Sequence, residues 1–305
     1  MKLDVAAARQ AIQDKIAGPL GLTVIEAAAG ILRIAATTMS LAVKTVTTER
    51  GLDAASFPLV AYGGAGPLHA VAIAREIGME RVIVPRAPGH FCAFGMLHSD
   101  LRYDYVRTWP ARLAQLSFAD LERIYGELIT EGEEALARSG ASNAKMKVVR
   151  AVDMRYVGQE HAVTIELPEK VLRKQDRAAI KQLFDAEHLL RYGTNAPTEA
   201  AELVSLRATI SGVMRKPKME KIARGTAKPP AAALRGTRSV TFGPSASGHG
   251  AAKKTTVYAR DALKAGNRIA GPALIEEHAS TTVVFPSDKL EVDQFGNLVV
   301  EIGRA

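Results

Sequence analysis

Apolar residues recur at helical spacing through the first fifty positions of the chain. A first predicted helix ends at Gly18-Pro19 and carries apolar residues three or four apart, at Val5, Ala8, Ile12 and Ile16. Thr23 is followed three residues later by Glu26, which is the spacing of a capping box. We therefore predict a second, alanine-rich helix that reaches about Thr48, and its small residues predict close packing against another element.

A buried strand, a glycine-rich turn, a helix and a second buried strand follow in that order. Residues 57–62 are almost continuously apolar, and 63–67 read Gly-Gly-Ala-Gly-Pro. A helical pattern covers 68–77, and residues 81–85 form another apolar run. This order predicts a βαβ unit with parallel strands and a right-handed crossover.

The patterns after position 100 change to those of a mixed α+β region. Strands are predicted over 101–108, 147–157, 161–167 and 203–214, and helices over 117–138 and 177–192. The strands alternate apolar and polar residues, so we expect the helices to cover one face of an antiparallel sheet.

The last ninety residues divide into a basic stretch and a series of short strands. Residues 216–254 are rich in proline, glycine and basic residues, which predicts a linker or long loop with one short strand over 239–242. From 255 to the end, short β segments alternate with glycine-containing turns, which predicts a β-rich C-terminal module.

Composition narrows the class of protein. Hydrophobic residues make up 47% of the 305 positions and charged residues 24%, as in a globular protein with a real core. No window approaches about 18 uninterrupted apolar residues, and the N-terminus lacks the regions of a signal peptide, so we expect neither a membrane span nor export. With Cys92 as the single cysteine, no internal disulfide can form, and we expect a cytoplasmic location.

The net charge of +8 raises the question of nucleic-acid binding. Much of the excess lies between Arg215 and Lys254, within the predicted linker, and aromatic residues are only 5% of the chain. A solvated basic linker explains this charge, and too few aromatic side chains are present to stack bases. We therefore predict no nucleic-acid partner.

The glycine turn after the first buried strand is the most pointed chemical feature. Glycines at a strand end let backbone approach a ligand, and the following helix N-terminus offers unpaired N–H groups that suit a phosphate or a nucleotide. No Lys-Ser or Lys-Thr follows, so the turn is not a P-loop, and the dinucleotide spacing is absent. Two interpretations stay open: a ligand site, or a tight turn packed against a neighbouring segment.

Other polar residues are weighed against structural roles. His69 either shapes a nucleotide site or packs in the core, and His90, Cys92 and His98 match no standard metal spacing, so no metal site is predicted. Ion pairing is favoured over a substrate contact at strand positions Asp100, Arg102 and Asp104. Asp153, Arg155 and Gln159 likewise lie at a strand and its turn, where Gln159 is placed to cap the hairpin, and His188 and Tyr192 form a helical i,i+4 pair that is expected to be structural rather than catalytic.

An ordered set of motifs resembles the hydantoinase A family, which includes N-methylhydantoinases, 5-oxoprolinases and subunits of acetone and acetophenone carboxylases. The resemblance covers nearly the whole chain except the linker. Its motifs are YGGAGPLHA from Tyr62, VIVP from Val82, PGHFCAFGMLHSDLR from Pro88, YVGQ from Tyr156, the series Phe184, His188 and Arg191-Tyr192-Gly193, IAGPALIE from Ile269 and STTVV from Ser280.

The resemblance implies part of an actin/hexokinase-like (RNase H-like) ATPase lobe. In that fold a strand ending in Gly-Gly-x-Gly contacts the adenosine, and Gly63, Gly64, Ala65 and Gly66 match that element. The fold also needs two earlier phosphate loops, which would hold the metal-binding carboxylate and the general base. Nothing in this chain matches either loop, so the sequence is similar to the C-terminal part of a subunit, and no catalytic residue is assigned.

The resemblance therefore implies four parts in an α/β chain. They are the C-terminal part of the ATPase lobe over 1–115, an α+β region over 116–215, the linker over 216–254 and the β-rich module over 255–305. ATP with Mg would bind only together with a hydantoinase A N-terminal region or subunit.

Three functions are consistent with this reading. The first is a component of an ATP-dependent cyclic-amide hydrolase, the second a subunit of an acetone- or acetophenone-type carboxylase, and the third a scaffold subunit with a vestigial nucleotide site. The family also implies a hydantoinase B-type partner and a small cyclic amide or ketone as substrate. Neither nucleic acid nor membrane is expected as a partner, and the chain alone is expected to be inactive.

Overall fold

The computed structural model describes residues 4–140, 145–243 and 252–303. The contacts between residues divide the chain into two units, with boundaries after Met96 and after Pro217. The first unit joins the segments before and after these boundaries, and the second comprises 97–217. This division differs from the four predicted parts, because the segment after 254 belongs to the same unit as the beginning of the chain.

The helices of the first unit lie mostly near the beginning of the chain. Helix α1 (Val5–Ile12) begins at Asp4, whose carboxylate accepts a hydrogen bond from Ala7 N, and continues through a π-helical turn (Gln13–Ala17) into α2 (Gly18–Leu20). The capping box at Thr23 is confirmed at the start of α3 (Val24–Thr48). Helices α4 (Gly66–Ile77) and α5 (Phe91–Leu97) follow.

Helix α3 is long and apolar enough to cross a membrane by length and composition, which the sequence windows did not lead us to expect. Its most apolar 18-residue window is only 17% buried. Core helices of soluble proteins pass the same test, so this property by itself places nothing in a membrane.

A five-stranded sheet carries the predicted βαβ unit. Its order is β1-β2-β13-β12-β9, with β1 (Leu59–Val60), β2 (Arg81–Val84), β9 (Arg268–Ala270), β12 (Lys289–Val292) and β13 (Leu298–Glu301). Strands β1 and β2 run parallel with α4 between them in the chain, which confirms the unit, although β1 is shorter than predicted. The C-terminal strand β13 pairs antiparallel with β2, so residues after 255 complete this sheet.

A second sheet of the first unit has the order β11-β10-β8-β7. Its strands are β7 (Leu234–Thr241), β8 (Ala252–Ala259), β10 (Ala273–Glu277) and β11 (Ser280–Val284). Strand β7 falls inside the predicted linker, of which 244–251 lie outside the described residues. Side chains from α4 and both sheets form one core, with Val71, Val82, Ile275 and Leu290 almost entirely buried.

The second unit has the predicted α+β architecture. Its antiparallel sheet has the order β3-β6-β4-β5, with β3 (Leu101–Arg112), β4 (Lys145–Tyr156), β5 (Val163–Glu166) and β6 (Ala201–Val213). The helices are α6 (Phe118–Arg138), α7 (Glu169–Arg173) and α8 (Arg177–Tyr192). Tyr125 of α6 and Phe184 of α8 are fully buried against Leu206 and Ile210 of β6 in a separate core.

Short 3-10 turns connect several of these elements. They cover Ala54–Ser56, Pro88–His90, Leu113–Gln115, Ala231–Ala233 and Arg260–Ala262. Two of them, at Pro88–His90 and Arg260–Ala262, border the cavity described below.

Candidate functional site

The glycine turn lies at the carboxyl end of β1, directly before α4. Ala61 N donates to Ile83 O at 2.9 Å, so pairing with β2 continues one residue beyond β1. Gly63 then adopts a φ of +86° and donates its N–H to Pro88 O at 2.8 Å. Gly64 and Ala65 are exposed, so an approaching molecule can reach two of the four predicted nucleotide contacts.

The start of α4 retains backbone donors that a ligand can use. Ala65 is the N-cap residue, and within the described part of the chain no side chain caps the helix there. Pro67 lacks an N–H, so it removes one of the free donors and pre-sets the helical φ. The remaining N–H groups and the helix dipole favour a polar or anionic group near Gly66.

The same turn also has a packing role. An ideal Cβ at Gly64 would stand 3.0 Å from Ala279 O, in the turn between β10 and β11. Gly63 needs its glycine for a positive φ, whereas a Cβ at Gly66 would meet nothing closer than Ala61 C at 3.9 Å. Two of the three glycines are thus required by the fold itself, and both interpretations offered by the sequence retain support.

A polar cavity lies at the carboxyl end of β2, bordered by the loops that the glycine turn contacts. Its volume is about 430 Å³, and its polar lining comprises Arg86, His90, Arg260, Asp261, Glu277 and His278. The rings of His90 and His278 stack with centroids 6.1 Å apart and planes 14° from parallel. The carboxyl ends of parallel strands are where open α/β sheets bind ligands.

A buried ion pair forms one wall of this cavity. Arg260 Nη1 lies 2.6 Å from Glu277 Oε1, and the two side chains are only 5% and 6% exposed. Arg260 Nη2 donates to the carbonyl oxygens of Val84, Pro85 and Gly296. These bonds join the end of β2 to the 3-10 turn at Arg260 and to the loop at Gly296. Burial lowers the pKa of Arg260 and raises the pKa of Glu277, and the pairing of the two opposes both shifts.

The other candidate residues of the first unit do not converge on one centre. His69 is half-buried on α4 and faces an apolar groove, His90 borders the polar cavity, and Cys92 is exposed. Among the residues that the structure describes, no group of three or more His, Cys, Asp or Glu side chains is arranged to hold a metal ion.

The candidates on β3 form ion pairs. Arg102 Nε lies 2.8 Å from Asp104 Oδ2, and Asp100 pairs with Lys216 and accepts a hydrogen bond from Met214 N. These contacts confirm the expected ion pairing. The hydrogen bond from Lys216 lowers the pKa of Asp100, and that from Arg102 lowers the pKa of Asp104.

The remaining candidates join elements of the second unit. Asp153 accepts hydrogen bonds from Thr164, Ser205 and Arg207, and Arg155 pairs with Glu202 at 2.8 Å. Backbone N–H of Gln159 donates to Tyr156 O and closes the turn after β4.

The expected contact between His188 and Tyr192 is present on α8. Their ring centroids lie 4.8 Å apart, and His188 Nδ1 stands 2.6 Å from Thr194 O. Sequence reasoning missed Arg260 and Glu277, because each is a single charged residue at the end of an apolar β segment. Arg260 follows directly after β8 and Glu277 ends β10, and the pairing of these two strands is what brings the charges together, so the residues near each one in the sequence gave no signal for the pair.

Two family profiles match the chain. The hydantoinase/oxoprolinase profile covers residues 1–105, and the profile of the hydantoinase/oxoprolinase C-terminal domain covers 112–300. The chain belongs to the hydantoinase/oxoprolinase family. An uncharacterized protein of Methanocaldococcus jannaschii is 34% identical over 99% of this chain and 41% of its own length.

The caprolactamase alpha subunit of Pseudomonas jessenii is another relative, 32% identical over 96% of this chain and 42% of its own length. The crystal structure of that ATP-dependent caprolactamase matches with a TM-score of 0.73 at 30% identity, over 99% of this chain and 43% of that one. Nucleotide-free acetone carboxylase, studied for ATP-dependent carboxylation, matches with a TM-score of 0.81 at 26% identity, over 99% and 43%. This chain thus spans less than half the length of the relatives it matches.

Proposed function

We propose that this chain supplies the adenosine-side part of an ATP site in an enzyme that hydrolyses cyclic amides. The observation that carries the proposal is the exposure of Gly64 and Ala65 at the carboxyl end of β1, beside the start of α4, which no described side chain caps. In an actin-like lobe this position contacts the adenosine. The ATP dependence of the caprolactamase and acetone carboxylase supports the choice of nucleotide.

The chemistry explains why ATP is needed. An unactivated amide is a poor electrophile, and transfer of a phosphoryl group from ATP to the amide oxygen gives a species with a good leaving group. The phosphoryl acceptor, the Mg²⁺ site and the phosphate-cradling donors must be placed together. In the proposed assembly the Mg²⁺ site and the phosphate-cradling donors come from a hydantoinase A N-terminal region or subunit, with a hydantoinase B-type partner, in the cytoplasm.

A carboxylase subunit is the second candidate, and one observation favours it. The TM-score is higher for acetone carboxylase than for caprolactamase, although sequence identity ranks the two in the opposite order. The nucleotide site would be shared by both activities. The acceptor substrate distinguishes them, so caprolactam and acetone with bicarbonate are tested side by side.

The test compares the chain alone with a reconstituted assembly. The segment of the caprolactamase alpha subunit that has no counterpart here is co-expressed with this chain, and ATP binding and turnover are measured for both preparations. We expect no turnover by the chain alone and ATP binding by the assembly. Ala65→Leu should weaken that binding by at least about tenfold, or about 1.4 kcal/mol, because the added side chain blocks the approach to the turn.

Ala137→Leu is the matched control, since Ala137 is an exposed residue of α6 in the other unit. It should leave ATP affinity unchanged. Robust turnover by the chain alone would contradict the proposal. Equal ATP affinity of the Ala65→Leu and wild-type assemblies would instead support a turn with only a packing role, as in a scaffold subunit.

A further inference from the structure

Helix α3 has apolar side chains on most of its circumference, but little of it is covered. Outside its contacts with the unit, Ile31, Ile34 and Leu41 are 41%, 68% and 58% exposed. The buried residues of the helix are small, namely Ala27, Ala36 and Ser40. The apolar part of a helix surface is normally covered by other elements, so the exposed apolar residues of α3 call for a partner.

One stripe of α3 lines an apolar groove of about 710 Å³. Ile25, Ala29, Leu32 and Ala36 recur on α3 at helical spacing and face the groove. The opposite wall comes from α4 and the floor from the sheet that contains β10 and β11, through Leu68, Ala72, Leu274 and Val283. An amphipathic helix fits such a groove through apolar anchors at the same spacing.

The chemistry of α3 favours a protein occupant over a lipid bilayer. A membrane span needs about 20 predominantly apolar residues, but Arg33 lies within α3 and a charge at the bilayer centre is costly. Thr37 Oγ1 donates to Glu76 Oε2 of α4 at 3.2 Å, so one side of the helix is already fixed to protein. The small residues Ala28, Ala29 and Gly30 also permit a second backbone to approach closely.

The longer relatives contain polypeptide that can supply the occupant. This chain spans 42% of the caprolactamase alpha subunit, so more than half of that subunit has no counterpart here. We propose that this additional polypeptide packs, through an apolar helix face, on the groove and on the neighbouring exposed residues Ile31, Ile34 and Leu41 of α3. The inference rests on the proposed function and assigns residues to the partner contact that the function requires.

The experiment uses the caprolactamase segment as the probe. It is co-expressed with the tagged chain, and co-purification, affinity and hydrogen exchange of α3 are measured. We expect a one-to-one complex with slowed exchange in α3. Leu32→Glu should weaken the complex at least about tenfold. Leu32 is 55% exposed, so this change should leave the melting temperature of the lone chain unchanged.

Leu190→Glu is the matched control, because Leu190 is 80% exposed on α8 of the other unit. It should leave the complex intact. Wild-type affinity of Leu32→Glu, or a complex in which α3 exchanges as fast as before, overturns the proposal. So does failure of the caprolactamase segment, shown to be folded by circular dichroism, to bind at all. Burial of α3 in phosphatidylglycerol vesicles or in a dimer of this chain overturns it in favour of those occupants.

The two proposals fail separately. A complex that protects α3 but binds no ATP leaves the docking surface standing and removes the proposed nucleotide site. ATP binding by a preparation in which α3 remains exposed supports the nucleotide site and removes the docking surface.

Discussion

Gly64 and Ala279 meet so closely that a side chain at the glycine would crowd the carbonyl oxygen of Ala279. A Cβ at Gly64 would stand 3.0 Å from Ala279 O, and Ala279 itself has a left-handed φ of +61°. The glycine turn after β1 and the turn between β10 and β11 therefore fit together through backbone. A substitution at Gly64 perturbs this contact whether or not a nucleotide binds, so it cannot test nucleotide binding alone.

Gly64→Val should destabilise the fold by about 1–3 kcal/mol, because the carbonyl of Ala279 belongs to a backbone that must shift. Thermal or urea unfolding without nucleotide measures this. Ala65→Leu is the comparison, since Ala65 is exposed and already carries a Cβ. Its stability should stay within about 0.5 kcal/mol of wild type. Equal losses of stability for the two variants would show that the contact between Gly64 and Ala279 is not the cause of the loss at Gly64.

Local patterns predicted the elements well where one signal dominated. Thr23 and Glu26 fixed the start of α3, and α8 occupies the predicted span of 177–192. The βαβ unit followed from two apolar strands separated by a helix, since a helix is the usual crossover between parallel neighbouring strands. Each of these features depends on residues close in sequence.

Long-range pairing could not be predicted in the same way. Residues 255–305 gave a clear series of strands, but nothing in their alternation indicated that β13 pairs with β2, more than 200 positions away. Within the basic, proline-rich stretch the sequence predicted a strand only over 239–242, because its composition favours a loop, whereas β7 begins earlier and covers Leu234–Thr241. The adenosine role of Gly63, Gly64, Ala65 and Gly66 stays a prediction, because two of those residues also have structural reasons to be small or flexible.

Asp153 should contribute stability that depends on pH. Burial raises the pKa of this carboxyl, but hydrogen bonds from Arg207, Ser205 and Thr164 outweigh burial and hold the pKa below its ordinary value of 3.8. The ionised form is therefore favoured in the folded protein. Its contribution is present above pH 3.8 and is lost as the pH falls through the lowered folded-state value.

Asp153→Asn should lower the free energy of unfolding by about 1–3 kcal/mol at pH 7, because it removes a charged acceptor from three donors. The difference from wild type should begin to narrow below about pH 4, where Asp153 is protonated first in the unfolded state, and should be lost only below the lowered folded-state pKa. Urea unfolding of both proteins at pH 7, 5 and 3.5 measures this difference in the free energy of unfolding. Asp104→Asn serves as the control with a loss below about 1 kcal/mol, since its side chain is 52% exposed. A constant difference at all three pH values would contradict this assignment.

The hydroxyl of Tyr156 joins β4 to α8 and to the segment after it. It donates to Asp185 Oδ1 at 2.7 Å and accepts from Ala196 N at 2.8 Å. Tyr156→Phe keeps the ring contact with Phe184 but leaves both partners without this oxygen. We expect a loss of about 1–3 kcal/mol in urea unfolding. The control is Tyr192→Phe, at a half-exposed ring on α8, the helix that carries Asp185. It should change the free energy of unfolding by less than about 0.5 kcal/mol. A loss at Tyr192 as large as at Tyr156 would count against the network.

Two glycines of α6 should respond to alanine with opposite signs. Gly126 is exposed, and a Cβ there would meet nothing within 4 Å, so Gly126→Ala should stabilise the protein by about 0.5–1 kcal/mol through helix propensity. At Gly132 a Cβ would stand 2.6 Å from Ile210 Cγ1 and 2.8 Å from Ile210 Cβ. Ile210 is fully buried on β6 and cannot move aside without disturbing the core.

Gly132→Ala should therefore destabilise the second unit by about 1–3 kcal/mol despite the better helix propensity of alanine. Urea unfolding of both single variants gives the comparison within one helix. Truncating Ile210 to alanine removes Cγ1 and Cδ1 but keeps Cβ, so it relieves part of the clash. Ile210→Ala should therefore cost less in the Gly132→Ala background than in wild type, by at least about 0.5 kcal/mol. Additive losses would mean that Gly132 is small for a reason other than contact with Ile210. A gain in stability at Gly132 equal to that at Gly126 would show that α6 and β6 pack less closely than the structure indicates.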